Sequence, residues 1–127
     1  MLRRVAFAVA LLLTSAAQAQ DFPYNRDLVL DVRPMRGGKR VPVVSVEPNG
    51  QAQIDLWCKR GQGQAVIAGD TITLIVRDMA EEACTPERAQ ADEQLIVALS
   101  QVTTWSFRGD VVTLNGGTTL RFRAASN

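Results

Sequence analysis

Histidine is missing from this sequence, and cysteine occurs only twice in 127 residues. Without histidine there is no Ser-His or Cys-His nucleophile pair and no zinc site that uses an imidazole. A surplus of either charge is missing too: fourteen basic residues face thirteen acidic ones, for a formal net charge of +1. Nucleic-acid binders rely on excess Lys and Arg meeting phosphates, so no nucleic-acid partner is expected. What is present, 46% apolar and 21% charged residues, is the composition of a folded protein rather than a disordered one. The length suits one compact domain of roughly 100–200 residues.

The first nineteen residues read as an export signal. Arg3 and Arg4 give a short positive start, Val5 to Leu13 form a nine-residue apolar run, and Ala17-Gln18-Ala19 offers the small-x-small pattern that signal peptidase accepts. A membrane anchor needs about 20 apolar residues, and this run is followed by Thr14, Ser15, Gln18 and Gln20. Cleavage after Ala19 would place a single domain, residues 20–127, in the periplasm or outside the cell, with no transmembrane segment in the mature chain. Arg3 and Arg4 leave with the signal, so twelve basic and thirteen acidic residues remain and the net charge becomes −1.

Export puts Cys58 and Cys84 in an oxidising compartment, where they are expected to pair. Closing a loop of about 27 residues is worth roughly 3–4 kcal/mol in the chain-entropy model. The competing reading, a reactive or metal-binding thiol pair, lacks both C-x-x-C spacing and a histidine to complete a site. No metal and no cofactor are expected.

From Leu28 onward apolar residues alternate in short runs, the pattern of half-buried antiparallel strands. Strands are expected at Leu28 to Val32, Val41 to Val46, Gln53 to Cys58, Gln64 to Ala68 and Thr71 to Arg77, with Asn49-Gly50 and Gly69-Asp70 as turns and Gly61 and Gly63 loosening a connection. The period then changes to 3.6. Thr85 can cap a helix, Pro86 suits its first position, and Ala91, Leu95, Ala98, Leu99 and Val102 form one stripe on a helix of about Pro86 to Gln101. Asp92, Glu93 and Gln101 are assigned to its wet face. Alternation resumes at Trp105 and Phe107 and continues through Val112, Leu114, Leu120 and Phe122. The fold class is mainly β: a small antiparallel, barrel-like sheet of about eight short strands on one amphipathic helix, which closes one end or side of it.

Little here can carry chemistry. Glu81-Glu82 and Asp92-Glu93 are adjacent carboxylates, and neighbours in sequence do not flank a substrate as a catalytic pair must. A carboxylate-only hydrolase would need two acids converging in a cleft, so no catalytic residue is assigned. Arg108-Gly109-Asp110 spells an adhesion tripeptide but suits a hairpin turn. The candidate binding patch combines Trp57 with the basic connection carrying Arg33, Arg36, Lys39 and Arg40, which could meet anionic lipid headgroups or an acidic protein of the envelope. Trp57 lies on the strand face opposite Leu56 and Cys58, and two readings stand: it packs under the N-terminal arm, Asp21 to Asp27, or it belongs to a surface patch.

Several segments resemble a known family. Met79-Ala80 through Cys84, then Glu93-Gln94-Leu95 with Leu99, Trp105 through Leu114, and Thr119-Leu120-Arg121-Phe122 are similar to the C-terminal half of the META domain, the HslJ-like family. The earlier cysteine of the pattern would be Cys58, after Ile54-Asp55-Leu56-Trp57, so the resemblance spans about residues 54–123. It departs from the family at Trp57-Cys58-Lys59, where Gly-Cys-Asn is usual, and in the extra Glu81 and Glu82. The resemblance implies a barrel-like sheet with a helix, an envelope location, a link to stress or antibiotic tolerance and no catalytic residues. A non-catalytic binding or scaffold role for an envelope lipid or protein is the leading expectation. A secreted inhibitor of lysozyme or protease type is its rival among binding proteins.

Overall fold

The computed structural model describes residues 20–126, with Ala6 and Ala8; apart from those two alanines the expected export signal lies outside the described residues. The strands are β1 (Leu28–Leu30), β2 (Val43–Val46), β3 (Gln51–Asp55), β4 (Arg60–Ala68), β5 (Thr71–Arg77), β6 (Thr104–Arg108), β7 (Val111–Asn115) and β8 (Leu120–Ala124). One helix, α1 (Pro86–Ser100), lies between β5 and β6. Each strand pairs antiparallel with the next, and β8 pairs with β1, so the meander closes into a barrel in sequence order.

The turns are those the sequence supports. Gly50, Gly69 and Gly109 take positive φ at the tips of the β2–β3, β4–β5 and β6–β7 hairpins, a region that costs glycine no Cβ clash. Arg108-Gly109-Asp110 is thus a hairpin corner. Pro86 opens α1, and the Thr85 side chain accepts the Arg88 backbone N–H at 3.4 Å, satisfying one of the donors that a helix start leaves free.

Alternation sorts each strand into an inward and an outward row. Leu28, Val44, Val46, Ile54, Ile72, Leu74, Val112, Leu114 and Phe122 point inward and are buried, and Leu95, Leu99 and Val102 of the helical segment join the same cluster. The barrel interior is therefore filled by side chains. At roughly 1.5–3 kcal/mol for each large apolar side chain taken out of water, this row is the main source of stability.

A meander places its connections alternately at the two ends. The β1–β2, β3–β4 and β7–β8 loops share one end, and α1, as the β5–β6 connection, lies across it. The N-terminal arm and the β2–β3, β4–β5 and β6–β7 turns share the other. The helix closes an end rather than covering a side.

Three local expectations need correction. The strand expected at Gln53 to Cys58 ends at Asp55, so Trp57 and Cys58 lie in the β3–β4 loop and not on strand faces. Gly61 and Gly63 belong to β4, not to a loose connection, because their missing side chains let the chain close up: a Cβ on Gly63 would meet the Ile75 carbonyl, and one on Gly61 the Met79 side chain. Asp92 does not face water; it is 1% exposed, the one buried charged side chain among the described residues. Its position, three residues before Leu95 and seven before Leu99, puts it on the inward stripe of α1.

Candidate functional site

At the helix-closed end the chain between β3 and β4 turns back through Leu56, Trp57, Cys58 and Lys59. Such a turn exposes a run of backbone N–H groups, and burying them without acceptors would cost about 1–3 kcal/mol each. Asp92 supplies the acceptors. Its Oδ1 accepts the Trp57 N–H at 2.7 Å, its Oδ2 accepts the Lys59 N–H at 2.8 Å, and the Cys58 N–H reaches both oxygens at 3.2 Å. A single carboxylate on the helix thus ties the β3–β4 loop to α1.

The second tie is covalent. Cys58 and Cys84 form a disulfide, joining this loop to the segment that leads into the helix. The two sulfurs and the Asp92 carboxylate lie within 4.8 Å of one another. The sulfurs are spent on each other and the carboxylate on three backbone donors, so the trio is a staple and not a ligand set.

Fixed in this way, Trp57 stands half-buried beside a groove of about 810 Å³ floored by Met35, Trp57, Leu95, Ala98 and Leu120. Trp57 does not pack under the N-terminal arm. The arm covers Trp105 instead, with Phe22 meeting that ring edge-on at 5.2 Å between centroids. On its other side Trp57 shares with Met35 a smaller cleft of about 280 Å³, also lined by Arg40, Glu82 and Arg88. The Arg88 guanidinium lies over Gly38, where a Cβ would come within 2.7 Å of its nitrogen. Arg40 reaches the Lys59 carbonyl at 3.5 Å. Among the described residues the ion pairs involve Arg123 with Asp31 and Asp110, and neither Arg40 nor Arg88 has a carboxylate within ion-pair distance.

Of the five residues in the sequence-derived patch, the structure brings Trp57 and Arg40 together. Arg33, Arg36 and Lys39 are exposed along the β1–β2 connection and line neither depression. Met35, Arg88 and Asp92 were not assigned to the site from sequence. Asp92 had a readable signal, an acidic residue at a stripe position of the helix. Met35 and Arg88 had none, because they reach the site from a loop and a helix turn whose approach depends on the tertiary fold.

The geometry defines a class: a closed eight-strand antiparallel barrel, plugged at one end by a helix and stapled there by one disulfide. The META domain matches residues 27–127, and the chain belongs to that family. No curated protein matches it. Among solved structures it is similar to a DUF4847 family protein from Bacteroides vulgatus, with 14% identity and a TM-score of 0.54 over 65% of this chain and 57% of that one. It is also similar to a protein solved by NMR, with 19% identity and a TM-score of 0.58 over 77% of this chain and 87% of that one. At these identities the likeness is one of fold. Among the described residues no helix is long and apolar enough to cross a membrane.

Proposed function

We propose that this protein is an exported, non-catalytic binding module of the cell envelope that takes an anionic amphiphile at the helix-closed end. The observation that carries the reading is the junction at Met35 and Trp57, where an apolar groove meets a cleft holding two guanidinium groups without carboxylate partners. An acyl chain fits the groove, and a phosphate or carboxylate head fits Arg40 and Arg88, since guanidinium presents its donors in a fork suited to such anions. The basic β1–β2 connection, with Arg33, Arg36 and Lys39, adds attraction to an anionic surface. The one buried carboxylate is engaged by backbone donors, which supports a role without acid–base chemistry. A contribution to stress or antibiotic tolerance, the expectation carried by the family resemblance, is part of this proposal.

The test is co-sedimentation with phosphatidylglycerol vesicles against phosphatidylcholine vesicles. Binding to the first alone is expected, with a blue shift of Trp57 emission in a Trp105→Phe background. The double substitution Arg40→Ala, Arg88→Ala should weaken binding about 30-fold, from roughly 1 kcal/mol per basic group near an anionic surface. Equal binding to both vesicles, or none to either, overturns the reading.

A further inference from the structure

At the opposite end of the barrel the wall is incomplete. Seven residue pairs join β4 to β5, and five join β6 to β7, but β5 and β6 are joined by a single pair, Thr71 with Thr104. Two backbone bonds flank that pair: the Ile72 N–H donates to Thr103 and the Trp105 N–H to the Asp70 carbonyl. Beyond Asp70 the chain has already turned back at Gly69 towards β4. In an antiparallel ladder the edge groups alternate, so if Trp105 points its N–H towards β5, Phe107 presents its N–H and C=O on the same side. No hydrogen bond among the described residues meets either group there.

The gap is a groove of about 1130 Å³ between β6 and the β4–β5 turn. Four of the six aromatic side chains among the described residues, Phe22, Tyr24, Trp105 and Phe107, line it. Trp105 and Phe107 sit opposite Leu114 and Val112, both buried, so their rings belong to the inner face of the sheet and are reached through the gap. The Trp105 indole N–H is shielded from water and has no acceptor among the described residues. The lining carries three charged residues, Asp21, Asp70 and Arg108, none of them in an ion pair among the described residues.

We propose that this gap is a docking site for an extended peptide segment of another protein, which adds to the exposed edge of β6. A strand is the occupant because the edge offers a backbone N–H and C=O together at Phe107, a pair that an acyl chain cannot answer and a strand can. Its inward side chains would be apolar and meet Trp105, Phe107 and Ile67. A basic side chain on the segment would suit the two carboxylates, Asp21 and Asp70, which outnumber the one guanidinium of the lining, Arg108. This chain's own N-terminal arm already seats an apolar side chain in the groove, Phe22 against Trp105, but among the described residues makes no backbone bond to β6 and so leaves the edge free.

The site lies at the other end of the barrel from the Trp57 groove and does not depend on it. The probe is a blocked synthetic peptide of about eight residues alternating valine and threonine, with one lysine. One control carries N-methyl groups on alternate amides, which removes strand pairing but keeps the side chains; another replaces the lysine by glutamate. In the free protein the Phe107 amide should exchange with solvent much faster than that of Ser106, which faces β7. The peptide should slow Phe107 exchange by about tenfold or more and shift the Trp105 indole resonance, while the N-methylated control should do neither. The glutamate version should bind more weakly. A Phe107 amide already as protected as that of Ser106, or an N-methylated peptide that binds as well as its parent, overturns the proposal.

Discussion

The two ends of the barrel are closed by different physics. At the helix end a disulfide and one buried carboxylate hold the β3–β4 loop, the lead-in to α1 and the helix itself as a unit. At the arm end closure rests on aromatic rings, Phe22 with Tyr24 at 5.1 Å and with Trp105 at 5.2 Å, across a seam of one residue pair. Covalent and charge-assisted ties are directional and resist partial opening. Tilted and edge-on ring contacts lend area but little register, so the arm end can open locally while the rest of the barrel stays folded. One small fold thus has a fixed end, suited to holding a shaped groove, and an end suited to exchanging one covering segment for another.

The largest break of this contrast should come from Asp92→Ala. Three backbone N–H groups lose their acceptor in a place shielded from water, and a loss of about 3–5 kcal/mol is expected in chemical denaturation. Because the Cys58 N–H is among the three, the loss should not add independently to that of a Cys84→Ser substitution. The two changes act on one loop, and a double-mutant cycle should show a coupling of about 0.5–3 kcal/mol. Additive losses would mean that the carboxylate and the disulfide hold the loop separately.

Phe22→Ala probes the other end and should cost less, about 1.5–3 kcal/mol, the value of burying one such side chain, because the arm can lift away without leaving a sealed cavity. Hydrogen exchange distinguishes the cases. In Phe22→Ala the faster exchange should be confined to residues 22–25 and β6, with the β3–β4 loop unchanged. Faster exchange throughout the barrel would show that the aromatic end is as integral to the fold as the stapled one.

What could be read in the sequence follows the same division. Period-two alternation placed the strands and a change of period placed α1, because burial on one face leaves a pattern in consecutive residues. The Cys58–Cys84 bridge followed from two thiols in a chain expected to be exported. Asp92 was misread because charge alone assigns an acid to the wet face, although its spacing to Leu95 and Leu99 put it on the apolar stripe. Gly61 and Gly63 were misread for the opposite reason: glycine marks a loop by propensity, but here it answers a close approach by Ile75 and Met79 that only the folded chain reveals. The cleft lined by both Arg40 and Arg88, and the gap between β5 and β6, bring together segments far apart in the chain, and neither leaves a local pattern.

The smallest expected effect sharpens the contrast from inside the fixed end. Thr85 caps α1 by accepting the Arg88 N–H, and Arg88 is one of the two arginines that line the cleft. Thr85→Ala should cost about 1 kcal/mol of stability, the usual value of an exposed N-cap. The disulfide at Cys84 and the Asp92 anchor still hold the segment on both sides of the frayed turn, so the barrel should unfold in one transition as before. What changes is the position of Arg88, freed from the first turn of the helix. Vesicle binding should therefore fall several-fold, more than the loss of stability accounts for, and Thr85→Ser, which keeps the hydroxyl, should restore it. If Thr85→Ala binds anionic vesicles as well as the parent protein, the guanidinium of Arg88 does not need the cap to reach its ligand, and the precision ascribed to the helix-closed end belongs to Asp92 and the disulfide alone.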